Sequence, residues 1–196
     1  ACESLFAPVP GLTTGFPPRA RDAAGMLRAA FQAEDPIMFL EHKHLLRQPY
    51  TIDPFPPADY VVPFGKGAID QVGDRLTVVS YGATIERTRK AITALGAEGE
   101  VELIDLRWLI PWDQELVGSS VAKTGRCLVV HEDVITCGFG AELAAWIGEH
   151  CFENLDAPVR RVAAIDTHVA YEPTLENAVL PQVHDIATAI EALLTY

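Results

Sequence analysis

The chain has 196 residues, 49% of them hydrophobic, and a formal net charge of −12 at pH 7. This length and composition indicate a packed core, and because the sequence shows neither the roughly 18 uninterrupted apolar residues of a membrane helix nor the pattern of a secretory signal, we expect a cytoplasmic protein. The negative charge disfavours nucleic acid and anionic membranes as partners, and the four sparse, irregularly spaced cysteines are typical of reduced thiols.

The first region, residues 1–47, contains the pattern of one helix and one strand. Apolar residues at spacings of three and four predict a helix from Asp22 to Ala33, which Asp35-Pro36 ends. The apolar run from Pro36 to Leu40 predicts a strand. A lone strand and a short helix cannot bury their apolar faces by themselves, so we expect this region to pack against something else.

Residues 48–64 have the composition of a stiff connector. Five of the chain's fourteen prolines fall here, interleaved with four aromatic residues. Proline without glycine or serine favours an extended chain, and the aromatic residues indicate that it packs along a surface. We interpret this segment as a crossing between two domains.

From residue 65 to residue 196, strand and helix patterns alternate. The predicted strands are Leu76–Ser80, Val101–Leu106, Cys127–Val130 and Arg161–Ile165. The predicted helices are Ile85–Leu95 with Thr84 as its cap, a helix capped by Asp113 that ends near Val121, Ala141–His150 and Pro181–Leu194. Short apolar strands separated by such helices predict an α/β fold, with a largely parallel sheet and helices on both faces.

Open α/β sheets bind ligands at the carboxyl ends of their strands, so the loops after the strands are candidate sites. There, His131-Glu132-Asp133 has the composition of an acid/base cluster, since nearby carboxylates can raise the pKa of a histidine towards neutral pH. His131 and Glu132 are therefore candidate catalytic residues, and the alternative is a hydrogen-bonded turn or an interface histidine. The turn Tyr81–Thr84 has one glycine where the dinucleotide fingerprint needs three, which disfavours a nicotinamide site.

Gly138 and Gly140 precede the predicted helix Ala141–His150. They could form a mobile hinge, but glycine also lets the start of a helix pack closely against another backbone or chain. The second interpretation is the one we favour.

Six segments, taken in order, resemble one family. They are Ser4–Leu12, Asp35–His44, Ile104–Asp113, Lys123–Arg126, His131-Glu132 with Gly138–Glu142, and Asp156–Pro158 with Arg161-Val162. They are similar to successive blocks of the beta subunits of pyruvate and branched-chain 2-oxo acid dehydrogenases, over essentially the whole chain. The departures are Cys137, where the family often has glycine, and His168 and Ala170, where it often has a Pro-x-Pro.

The resemblance implies a heterotetramer of alpha and beta subunits that decarboxylates a 2-oxo acid on thiamine diphosphate, with Mg²⁺, and passes the acyl group to a lipoyl domain. In that family the beta subunit has a pyrimidine-binding domain followed by a transketolase-like C-terminal domain. Residues 1–47 resemble only the end of the first domain, and residues 65–196 resemble the second. The cofactor-activating glutamate and the active-site histidine belong to upstream sequence, so we expect this C-terminal fragment to be inactive by itself and to bind no cofactor tightly.

The resemblance also implies a monovalent cation site, usually for K⁺. Matched onto this sequence, the ligands are the main-chain carbonyls of Ala30, Ala33 and Asp35. The final carbonyls of a helix lack internal partners and carry the negative end of its dipole, which suits a cation. The alternative is that water satisfies these carbonyls.

Acidic groups near the end of the chain fit the family's habit of docking the subunit-binding domain of the acyltransferase. They are Asp185, Glu191 and the terminal carboxylate of Tyr196. Charge complementarity with a basic partner would speed and orient the encounter. The alternative is the solvated face of the closing helix.

Two other functions stay open. One is a stand-alone, non-catalytic interaction module, and the other is a fragment of a transketolase or deoxyxylulose-phosphate synthase, which shares the fold. The Ile-Pro-Trp-Asp and His-Glu blocks favour the 2-oxo acid dehydrogenase family. The sequence does not select among branched-chain, pyruvate and acetoin-type substrates.

Overall fold

A computed structural model describes residues 2–196. The helices are α1 (Glu3–Phe6), α2 (Ala20–Ala30), α3 (Thr84–Leu95), α4 (Gln114–Thr124), α5 (Phe139–His150), α6 (Pro173–Val179) and α7 (Val183–Leu194). The strands are β1 (Thr13–Gly15), β2 (Ile37–Phe39), β3 (Ala68–Gln71), β4 (Gly73–Ser80), β5 (Gly99–Asp105), β6 (Trp108–Ile110), β7 (Cys127–Val134) and β8 (Arg160–Ala164). No helix within the described range is both long and apolar enough to span a bilayer.

The larger sheet has the strand order β3-β5-β4-β7-β8, and all neighbours pair in parallel except β3 with β5. Alternate side chains of one strand reach opposite faces, and β4 shows the result. Its Val78 packs with α3 and α7, whereas its Val79 packs with α4 and α5. The α/β class with a largely parallel sheet covered on both faces is therefore confirmed.

A smaller sheet has the order β2-β1-β6, with β1 parallel to β2 and antiparallel to β6. The N-terminal region thus completes its sheet with a strand from the second half of the chain. The two parts meet tightly, because a Cβ added at Gly15 would lie 2.6 Å from the ring of Trp108. The expectation that residues 1–47 must pack against something else is met in part by β6 and Trp108.

The connector is less uniformly extended than its prolines predicted. It begins with the short 3-10 turn Pro49–Thr51, directly after another at Leu45–Arg47, before running along α2. There the Val62 amide donates to the Gly25 carbonyl at 3.1 Å, and the Val62 carbonyl accepts from Trp108 Nε1 at 3.3 Å. The aromatic residues behave differently from one another, since Phe64 packs edge-on against Trp108 at 4.7 Å while Phe55 is 85% exposed.

Several predicted boundaries are wrong by a few residues. Helix α2 covers 20–30 rather than 22–33, α5 begins at residue 139, and α7 begins at residue 183. Thr84 is not the cap of α3, since it is the first helical residue and its hydroxyl donates to the Tyr81 carbonyl at 2.8 Å. Asp113 does cap α4, because its side chain accepts a hydrogen bond from the Leu116 amide.

Candidate functional site

The segment His131-Glu132-Asp133 is not a loop after a strand, because β7 continues through it to Val134. The prediction that this segment is a loop was wrong because the apolar run that indicated the strand ends at Val130, whereas the backbone pairing of β7 with β8 continues to Val134. Since successive side chains of a strand point to opposite faces, the three polar groups enter different surroundings instead of forming one cluster.

His131 is completely buried, and neither of its ring nitrogens has a hydrogen-bond partner among the described residues. Its ring stacks on that of Tyr81 at a centroid distance of 6.3 Å. Burial lowers the pKa of His131 to about 4, although the nearby Asp133 acts in the opposite direction. A neutral, enclosed imidazole in this position supports a packing role more than proton transfer.

Glu132 points to the opposite side of β7 and joins two separate parts of the chain. His42 Nε2, in the segment after β2, lies 2.6 Å from Glu132 Oε2, and Arg87 of α3 donates to Glu132 Oε1 at 2.5 Å. Burial would raise the pKa of Glu132, but the hydrogen bond from His42 and the charge of Arg87 outweigh it and lower the pKa below its ordinary value. Glu132 is therefore held as a charged carboxylate that is hydrogen-bonded to both His42 and Arg87.

A second buried carboxyl group ties α1 to the larger sheet. Tyr81 donates from its hydroxyl to Glu3 Oε1 at 2.9 Å, and Glu3 is only 1% exposed. Burial raises the pKa of Glu3. The Ser4 amide also donates to Asp133 Oδ2, at 3.3 Å. Neither contact is signalled by sequence, because the partners are far apart along the chain.

The N-terminal region covers the edge of the sheet where α/β proteins usually bind ligands. A Cβ at Gly82, after β4, would lie 3.2 Å from the ring of Phe16. After β5, the Arg107 carbonyl accepts from the Phe16 amide at 2.8 Å, and Arg107 Nη1 donates to Asp22 at 3.2 Å. These contacts fill the space directly after β4 and β5, so these two strand ends do not form an open ligand-binding cradle.

The turn that the resemblance matches to a cation site follows α2, which ends at Ala30. The Ala30 carbonyl accepts a hydrogen bond from the Ala33 amide at 3.2 Å, and Asp35 is exposed just before Pro36. Residues 2–196 hold no group of three or more histidine, cysteine or acidic side chains that could bind a metal. A site made of the carbonyls of Ala30, Ala33 and Asp35 does not depend on such a group, and it stays a prediction.

The acidic groups near the end of the chain lie on or after α7. Asp185 is exposed, accepts from the Gln182 amide at 2.9 Å, and lies 3.1 Å from His184 Nε2. Glu191 is exposed and has no salt bridge among the described residues, and Tyr196 is 68% exposed. Glu191 therefore presents an exposed negative charge, whereas Asp185 is also engaged by the Gln182 amide and lies beside His184.

The family model described as the C-terminal domain of transketolase matches residues 65–186. The chain belongs to this family. It is 40% identical to the mitochondrial 2-oxoisovalerate dehydrogenase subunit beta 2 of Arabidopsis thaliana, covering 99% of this chain and 53% of that protein. It is 37% identical to the pyruvate dehydrogenase beta subunit of Staphylococcus epidermidis, covering 99% of this chain and 59% of that protein. The resemblance to these beta subunits is thus confirmed.

The transketolase C-terminal domain is also supported by a solved structure. A split-gene transketolase, described as an inactive beta4 tetramer, matches with a TM-score of 0.78 at 20% identity and covers 98% of this chain and 61% of that one. At this identity the match shows the fold alone. The chain spans about half the length of the curated relatives it matches.

Proposed function

We propose that this chain is the C-terminal part of the beta subunit of a 2-oxo acid dehydrogenase, where it serves subunit assembly and docks the acyltransferase. The observation that carries the proposal is the closure of the strand ends of β4 and β5: the ring of Phe16 lies against Gly82, and the Phe16 amide donates to the Arg107 carbonyl, so these strand ends serve packing. The similarity to beta subunits, which extends over 99% of the chain, supports the same assignment.

In the complete enzyme, the partners would be an alpha subunit and a second beta subunit. Large apolar side chains are exposed on the chain and available for such contacts. The most exposed are Leu5, Phe31, Leu46, Ile52, Phe55, Val72, Phe152, Tyr171 and Tyr196. Thiamine diphosphate, bound with Mg²⁺ elsewhere in the enzyme, would supply the electron sink for loss of the carboxyl group. The turn of Ala30, Ala33 and Asp35 would bind K⁺ through its carbonyls, and the enzyme would work in the cytoplasm.

The acyltransferase would dock on α7. Asp185 and Glu191 are exposed there. A basic subunit-binding domain is the partner that this charge would attract. The substrate class is a 2-oxo acid, because relatives named for both 2-oxoisovalerate and pyruvate match at similar identity.

The test is to assay decarboxylation of 2-oxoisovalerate and pyruvate by this chain alone and by a whole beta subunit that contains it, assembled with an alpha subunit. We expect thiamine-diphosphate-dependent turnover only in the assembly. Calorimetry with a purified acyltransferase subunit-binding domain should detect binding to the assembly. Turnover by the 196-residue chain alone would overturn the scaffold role, and absence of binding would overturn the docking role.

A further inference from the structure

Glu132 lies at the centre of a continuous set of polar contacts that crosses the molecule. On one side it contacts His42, whose ring also stacks on Phe16 at 6.2 Å. On the other side it accepts from Arg87, and Arg87 Nη1 also donates to the Pro181 carbonyl at 3.3 Å. Pro181 precedes α7 by two residues. The contacts therefore run from the segment after β2, through β7 and α3, to the start of the last helix.

We propose that Glu132 is a positioning residue that couples the segment of residues 40–52 to the turn before α7. The side chain of Glu132 is 10% exposed, and those of His42 and Arg87 are each 23% exposed, so these contacts are partly shielded from solvent. Shielded charge-assisted hydrogen bonds are stronger than surface ion pairs, and a guanidinium that serves two acceptors ties their positions together. Loss of His42 frees the Glu132 carboxylate to shift towards Arg87, which alters the hold of Arg87 on Pro181.

The coupling has defined ends. His42 makes no hydrogen bond to the turn at Pro181, and its two links towards α3 are the bond to Glu132 and the stacking on Phe16. An effect of a His42 variant on the turn that disappears when Glu132 is also changed must therefore pass through Glu132. All of these contacts lie within this chain, so the coupling does not require that α7 docks an acyltransferase.

The test is a double-mutant cycle read by amide hydrogen exchange on the 196-residue chain. The variants are His42→Leu, which has no donor for Glu132, Glu132→Gln and the pair. The reporting amides at the far end are Gln182, which donates to Asp185, and Ile186, which donates to the Gln182 carbonyl. We expect H42L to speed exchange at these two amides by about threefold or more, and to have no such effect in the E132Q background.

Lys43→Gln is the matched control, because Lys43 is exposed and adjacent to His42 but makes no salt bridge among the described residues. Lys43→Gln should leave amide exchange unchanged within residues 40–52 and at Gln182 and Ile186. If E132Q does not fold, Arg87→Met replaces it in the cycle, since methionine has no donor for Glu132 or for the Pro181 carbonyl. The proposal is overturned if H42L speeds exchange only within residues 40–52, or if its effect at Gln182 and Ile186 persists undiminished in the second background.

Discussion

The ring of His131 packs against the first turn of α5 at Gly140, where an added Cβ would overlap the ring's Nε2 and Cδ2 atoms. Gly138, at the cap of the same helix, is equally confined by the Val134 carbonyl and the His131 ring. The two glycines therefore let α5 begin in direct contact with β7. This geometry supports the interpretation that Gly138 and Gly140 allow close packing at the start of α5. It does not support the alternative that they form a mobile hinge.

The first prediction concerns Gly140→Ala. The new methyl group must displace His131, whose ring is enclosed, so we expect the free energy of unfolding to fall by about 1–3 kcal/mol in urea denaturation. Gly148→Ala is the control in the same helix, where no atom lies within 4 Å of the added Cβ. That change should raise stability by about 0.5–1 kcal/mol through helix propensity. Equal effects of the two substitutions would contradict the packing argument.

The larger sheet could be predicted because its strands β4, β5, β7 and β8 are short apolar runs between helices with clear periodicity. Strands β1, β3 and β6 were missed, so the prediction of a single strand in residues 1–47 was wrong. Thr13–Gly15, Ala68–Gln71 and Trp108–Ile110 are only three, four and three residues long, and they form by pairing with strands distant in sequence. The candidate site was located only in part. His131 and Glu132 were singled out by composition, but the partner of Glu132 lies 90 residues away at His42, and no local pattern encodes such a contact.

The second prediction is a pH dependence of stability that His131 produces. Its folded pKa of about 4 lies below its ordinary value of 6.5, so the unfolded chain takes up a proton between these values and the folded chain does not. The contribution of neutral His131 to the free energy of unfolding is therefore fully present above pH 6.5 and is lost as the pH falls towards 4. Between pH 7 and pH 5, this single group should cost the wild type about 2 kcal/mol of unfolding free energy.

The comparison for this effect is His131→Phe, which keeps a flat ring but does not titrate. Denaturation curves of both proteins at pH 7 and pH 5 isolate the contribution of His131, because all other titratable groups are shared. The variant should lose about 2 kcal/mol less than the wild type over this interval. If both proteins lose the same stability, His131 is not buried in its neutral form.

The third prediction concerns Asp113, which is 6% exposed and satisfies two amides. It accepts from Leu116 at the start of α4 and from Gly67 in the segment before β3, both at 3.1 Å. Asp113→Ala leaves both donors without this partner, and we expect a loss of about 1–2 kcal/mol in thermal or urea unfolding. Glu115→Ala is the control, since the side chain of Glu115 is 86% exposed. A loss of similar size in the control would show that charge near the helix start, and not the cap, is responsible.

The fourth prediction tests the electrostatic character of the proposed docking surface on α7. Glu191→Lys reverses an exposed charge without disturbing the buried residues Ile190 and Leu193, so the fold should be retained. For a basic acyltransferase subunit-binding domain, we expect the dissociation constant measured by calorimetry in the assembled enzyme to rise by about threefold or more at low ionic strength. The difference should shrink in about 0.5 M salt, because the Debye length becomes shorter than the spacing of exposed charges. Asp59→Lys makes the same charge change in the proline-rich connector and should leave binding unaltered. Equal weakening by both variants would mean that net charge, and not the α7 surface, governs the interaction.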